Sequence, residues 1–165
     1  QREIRGLLGA RRILRMYSRL SLLTVPPARL QARQSICHCD NQGVVPDHIV
    51  AASLLYLFRD ESLGGTSFFV PKKPAHVISR LLHDASTMTR EAFRRRHRIA
   101  PGYCTASNEY FELAGTVPAR WNRIIFYDGG IFHSAAIAAP EKLTDDPRTG
   151  RLTHNGFFDC TRKAR

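Results

Sequence analysis

The sequence predicts a mainly β fold, a sandwich or jelly-roll barrel with one helix ahead of it and a helical insertion in its middle. Two observations carry that expectation. About seven or eight short apolar or alternating runs are separated by clusters of Gly, Pro, Asn and Asp, the punctuation of an all-β domain. Residues 71–107 break the pattern, opening on Pro71-Lys72-Lys73-Pro74 and then changing to helical spacing. A length of 165 residues with 43% hydrophobic side chains suffices to give the strands one core, so residues 1–165 read as a single domain.

Taken in order, residues 3–19 place Ile4, Leu7, Leu8, Leu14 and Tyr17 near one face of a helix, weakened by Gly6 and Gly9. Residues 20–25 form a short apolar strand that Pro26-Pro27 stops. Residues 30–40 alternate as a second strand, with Asn41-Gln42-Gly43 as its turn. The nearly continuous apolar run 49–58 suits a strand buried on both faces. Residues 60–65 turn the chain into a strand at 66–70. Helices follow at 76–83 and 90–98, the second with Thr89 as N-cap, and Pro101-Gly102 turns the chain back. Strands at 109–117, 122–127, 131–138 and 151–158 complete the fold, with Asp128-Gly129-Gly130 as a tight hairpin. The barrel strands thus occupy 20–70 and 108–158.

Composition narrows the function classes. No apolar run approaches the roughly 20 residues that span a bilayer, so no membrane partner is expected. Four cysteines, Cys37, Cys39, Cys104 and Cys160, are too few and too unevenly placed for a disulfide framework, which points to reduced thiols and a cytoplasmic setting. Cys37 and Cys39 are expected to pack on the outer face as small hydrophobes. The net charge is +11. Its two basic clusters, Arg2 to Arg19 and Arg94 to Arg98, lack interleaved aromatics and read first as solvated helix faces, second as a nucleic-acid surface.

The chemistry concentrates at Cys37-His38-Cys39-Asp40. On a strand His38 and Asp40 share one face and the cysteines the other, so a zinc site drawing on Cys37, His38 and Cys39 together is geometrically poor. An imidazole and a carboxylate on one face supply two metal ligands, and His133, on a strand after the glycine turn, is placed to supply a third. Two histidines and one carboxylate form the facial set of non-haem iron sites. His48, His76, His83, His97 and His154 show no partner spacing and read as surface residues.

His38-Cys39-Asp40-Asn41, Tyr56-Leu57-Phe58, Gly64-Gly65-Thr66-Ser67-Phe68, His133 and Arg151-Leu152-Thr153 follow one another in an order that resembles the iron(II)/2-oxoglutarate-dependent dioxygenases. The prolyl-hydroxylase-like branch and its poorly characterised bacterial relatives look most similar, in particular over Asn122 to Ala135. The resemblance spans roughly residues 20–158. It implies a double-stranded β-helix, a cupin-like jelly-roll barrel, with Fe(II) on His38, Asp40 and His133. It implies further that Arg151 pairs with the distal carboxylate of 2-oxoglutarate, that Thr153 adds a hydroxyl, that Tyr56 contacts the same carboxylate, and that Gly64-Gly65 turns the chain. The implied activity couples decarboxylation of 2-oxoglutarate to oxidation of an unidentified substrate, by default a hydroxylation, with dioxygen as co-reactant. A small molecule or a protein side chain fits the substrate role. The sequence departs from the family at Phe58, where relatives often carry Asn, and in the long interval between His133 and Arg151, which an enlarged loop at 141–150 absorbs. Arg148 is the rival anchor. Two other readings fit the same residues: a cupin-like metal-binding protein without turnover, for which Arg151 has no role, and a basic nucleic-acid-binding module led by Arg94 to Arg98.

Overall fold

The computed structural model describes residues 8–40 and 47–162. Its longest strands are β1 (Ala10–Leu23) and the last strand, β7 (Arg151–Arg162), which pair antiparallel along their whole length. Between them run β2 (His48–Tyr56), β3 (Thr66–Pro71), helices α1 (Ala75–Thr87) and α2 (Arg90–His97), β4 (Phe111–Val117), β5 (Ile124–Asp128) and β6 (Phe132–Ala135). The strands form two antiparallel sheets, ordered β1-β7-β2-β5 and β4-β3-β6, that do not close into one hydrogen-bonded barrel. The protein is mainly β with two helices, an arrangement consistent with a β-sandwich. Among the described residues no helix is long and apolar enough to cross a membrane.

Several expectations are corrected. The helix expected at 3–19 is, over its described part, strand β1; residues 1–7 lie outside the described residues. Arg and Leu favour helices when isolated, but the ladder with β7 overrides that preference here. Residues 20–23 of the apolar run 20–25 are the end of the same strand.

Residues 30–40 are not a strand. Pro27 opens one 3-10 turn, and Ala32–Gln34 forms another, closed by the Gln31 N–H donating to Gln34 Oε1 at 2.8 Å. Ala32, Ile36 and Cys37 lie buried beneath the helices, so Cys37 sits in the core rather than on an outer face. Its thiol is raised by burial and by its hydrogen bond with Cys104. Cys37, Cys104 and Cys160 are free thiols. The turn expected at Asn41 to Gly43 lies outside the described residues.

Asp128-Gly129-Gly130 does not make a hairpin. β5 pairs with β2 in the first sheet and β6 with β3 in the second, so this turn carries the chain from one sheet to the other. Turn chemistry is the same in both cases, because Asp128 Oδ1 accepts the Gly130 N–H at 2.7 Å without fixing which strands pair next.

The insertion is helical as expected, with Thr89 accepting the Ala92 N–H at 3.3 Å. Ile78, Leu81, Ala85 and Phe93 pack on Phe69 and Phe111, covering the outside of the second sheet. His97, expected at the surface, is buried: one ring nitrogen lies 2.8 Å from the Tyr110 hydroxyl and the other 3.0 Å from Asp84 Oδ2. Arg96 and Arg80 also reach Asp84, at 3.3 and 3.8 Å, and two nitrogens of Arg94 are buried. Arg94 is therefore partly spent inside the fold and Arg96 is paired with Asp84, while Arg95, Arg96 and Arg98 stay exposed; nothing else here supports a nucleic-acid module led by them.

Burial alone would raise the Asp84 carboxyl, but the His97 hydrogen bond and the Arg96 and Arg80 charges hold it below the usual range. A depressed carboxyl contributes stability above its unfolded pKa of about 3.9 and loses it as pH falls through the folded value. Asp84→Asn is thus expected to lower the urea midpoint at pH 7 and to narrow the difference between pH 7 and pH 3, as measured by chemical unfolding at both.

Candidate metal centre and cavity

Backbone bonds between distant segments build the site. The His38 N–H donates to the His133 carbonyl at 3.0 Å and the His133 N–H returns a bond to His38 at 2.8 Å. The Asp40 N–H donates to Gly129 O at 2.6 Å, and the Gly129 N–H to Val50 O at 2.7 Å. A side chain at Gly129 would lie 2.8 Å from Val50 O and 3.0 Å from Asp40 Cβ, so only glycine lets these chains meet.

One ligand atom from each of His38, Asp40 and His133 falls within 4.8 Å of the others. His38 Nε2 is 3.9 Å from Asp40 Oδ1, and His133 Nε2 is 3.5 Å from Asp40 Oδ2. The expectation that His38 and Asp40 act from one face holds, although their segment is a single bridge rather than a strand. His133 Nδ1 lies 2.9 Å from the Ile131 carbonyl, which can only accept; the proton therefore sits on Nδ1 and the Nε2 lone pair faces Asp40. The Tyr127 hydroxyl stands 3.3 Å from that lone pair. Asp40 Oδ2 is buried with no hydrogen-bond partner. Lost hydration, joined by the nearby His133, lowers the His38 imidazole, and burial lowers His133 against the opposite pull of Ile131. Burial raises the Asp40 carboxyl against the pull of His38 and Arg19.

The same cavity, of about 220 Å³, is lined on its other side by Arg151, Thr153 and Thr66. Arg151 is 4% exposed. Its Nε donates to Gly64 O at 3.0 Å and its Nη2 to Gly65 O at 2.7 Å, while the guanidinium lies 5.6 Å from the Phe58 ring centre. Among the described residues no carboxylate pairs with it, and burial lowers its pKa to about 10. Gly64 and Gly65 can bring their carbonyls here because neither carries a side chain: a Cβ on Gly64 would stand 1.9 Å from Ala136 O, and one on Gly65 1.9 Å from Val117 O. Thr153 donates a long bond to Ser21 O at 3.4 Å. Tyr56 is fully buried but does not line the cavity; its hydroxyl meets Thr66 Oγ1 at 2.8 Å, one layer behind. Arg148, the rival anchor, has 90% of its side chain exposed and faces Asp146.

The sequence reading missed Arg19, Tyr127, Asn155 and Phe157, all of which line the cavity. The period of two along β7 carried a signal for two of these, because Asn155 and Phe157 continue the face begun by Arg151 and Thr153.

The chain belongs to a family of unknown function, DUF6445, whose family model matches residues 1–158. No curated protein matches it. Among solved structures the chain is similar to the Kdo hydroxylase KdoO, a non-haem Fe(II) alphaketoglutarate-dependent dioxygenase in complex with succinate and Fe(III), at 10% identity and a TM-score of 0.31. That match covers 88% of this chain and 53% of the hydroxylase, so the chain spans about half the length of that protein.

Two predictions follow from the geometry. Gly64 has φ +85°, so Gly64→Ala adds backbone strain of about 1–3 kcal/mol to the clash with Ala136 O and lowers the denaturant midpoint accordingly. In the metal-free protein both imidazoles of the cluster titrate below the usual value of about 6.5. They contribute stability above that pH and lose it as pH falls through their folded values. Long-range proton–nitrogen correlation spectra across pH 4 to 8 check this, and at pH 7 should show His133 neutral with its proton on Nδ1.

Proposed function

We propose that this chain is a non-haem Fe(II)- and 2-oxoglutarate-dependent oxygenase, by default a hydroxylase, built as a single double-stranded β-helix domain. One observation carries the reading: a single cavity joins a His–Asp–His cluster to a buried guanidinium, and among the described residues neither the buried Asp40 Oδ2 nor that guanidinium has a partner of opposite character. A buried polar atom without a partner and a buried charge without an opposite each cost free energy. A divalent cation at one end and a carboxylate at the other remove both penalties. Two imidazoles and one carboxylate suit Fe(II) with positions left open.

When bound, Fe(II) with 2-oxoglutarate and dioxygen supplies the oxidising power for hydroxylating an unactivated carbon. The protein's residues do the rest. His38 and His133 offer neutral nitrogens at pH 7, because their surroundings disfavour the imidazolium. The Ile131 carbonyl holds the His133 tautomer that frees Nε2. Arg151 has spent Nε and one Nη2 proton on Gly64 and Gly65, so its Nη1 side is the edge that receives the distal carboxylate. The Thr153 hydroxyl turns from Ser21 to the same group. Tyr56 acts from behind, holding Thr66 in the cavity wall. Leu54 and Phe157 exclude water from the cavity. The free thiols of Cys37, Cys104 and Cys160 support a cytoplasmic setting.

Anaerobic addition of Fe(II) and then 2-oxoglutarate to the metal-free protein is expected to produce the visible charge-transfer band of the chelated cosubstrate. His38→Ala and His133→Ala abolish it. Arg151→Ala raises the cosubstrate concentration it requires by roughly 10- to 100-fold, the loss of a charged hydrogen bond worth about 1.5–3 kcal/mol. Iron uptake without the band makes the protein a metal binder with no cosubstrate, and no iron uptake removes the reading altogether.

A further inference from the structure

β1 runs along one wall of the cavity and continues well past it. Cross-strand partners share a face, and β7 alternates without a shift against β2, so its positions 151, 153, 155, 157, 159 and 161 all face the way Arg151 and Thr153 do. Their β1 partners are Leu23, Ser21, Arg19, Tyr17, Arg15 and Arg12. Strict alternation would have turned Arg12 to the opposite face. The register shift between Ile13 and Arg15 brings it back.

The result is a basic track of Arg12, Arg15 and Arg19, all exposed, that ends at the metal cluster. It runs opposite Asn155 to Thr161 of β7, six residue steps or about 20 Å at roughly 3.3 Å per residue. Arg19 lines the cavity and acts electrostatically on both His38 and Asp40. Among the described residues none of the three arginines has an ion-pair partner; Asp159, opposite Arg15, is engaged by His48 at 3.0 Å. Tyr17 lies within the track, stacked on Phe157 at 4.8 Å and 58% exposed.

Two further facts select the occupant. β1 stands at the end of its sheet, so along its outer side 14 residues of backbone have no ladder partner among the described residues. The cavity, at about 220 Å³, falls below the roughly 300–1,000 Å³ of sites that enclose a whole ligand, and it must also hold a dicarboxylate. Only a side-chain-sized part of a substrate fits inside, and the remainder lies along the track.

Resting on the oxygenase reading, we propose that the substrate is an acidic polypeptide segment, bound extended against the free edge of β1 with one residue reaching into the cavity. The free backbone edge provides hydrogen bonds to a peptide strand, and the arginines select for acidic side chains. A second copy of this chain would set arginine against arginine. An oligonucleotide would use the charges and leave the backbone edge unpaired.

The test is fluorescence anisotropy with a fluorescein-labelled decapeptide of alternating Glu and Ala, titrated into the metal-free full chain at low salt. The acidic peptide is expected to bind, and Arg12→Gln/Arg15→Gln/Arg19→Gln to raise its Kd at least tenfold. Amide exchange along β1 should slow in the complex. Equal binding of a Lys–Ala decapeptide, undiminished binding by the triple variant, tighter binding of single-stranded decadeoxynucleotide, or no binding at all overturns the proposal. Because no metal is present, this result is read independently of iron and cosubstrate uptake, so either idea can fail without the other.

Discussion

The reciprocal pair of backbone bonds between His38 and His133 is the constraint on which the site depends. It ties a segment that belongs to no sheet onto the edge of the second sheet. The Asp40–Gly129 and Gly129–Val50 bonds tie the same region to the first. Four backbone hydrogen bonds thus bring together three side chains from positions 38, 40 and 133, and the His–Asp–His cluster follows from backbone geometry before any side-chain preference acts. The helices contribute indirectly: they bury Cys37 and Ile36, and so fix the approach of the chain to His38.

The cavity concentrates groups that a fold optimised for stability alone would avoid. Among the described residues, a buried carboxylate oxygen without a donor and a buried guanidinium without an anion both raise the free energy of the fold. Arg151 is retained because two glycine carbonyls solvate it in place of water. That substitution needs Gly64 and Gly65 in contacts that no other residue permits. The strain and the unmet polar groups lie at opposite ends of one cavity, and a ligand able to span it would relieve both ends together.

Much of this was legible in the sequence, for reasons that differ by element. His38, Asp40, His133, Arg151 and Thr153 stand out because order and alternation are properties of the chain itself, and the structure gathers all five around one cavity. β2, β3 and the helices were legible from apolar runs, prolines and the Thr89 cap. β1 was not, because its register shifts blur the period of two and its Arg and Leu content imitates a helix. The 3-10 turns after Pro27 imitated alternation in the same way. His97 was hidden because its partners Asp84 and Tyr110 come from α1 and the approach to β4. Arg19 and Tyr127 were missed because their approach to the cluster depends on which sheets their strands join, which no local pattern states.

X-ray absorption spectroscopy of the protein loaded anaerobically with Fe(II) tests the central claim most directly. A coordination shell of nitrogen and oxygen only is expected, with the multiple-scattering signature of two imidazoles that falls to one in His133→Ala. A sulfur neighbour from Cys39, or an unchanged imidazole count in that variant, would contradict it.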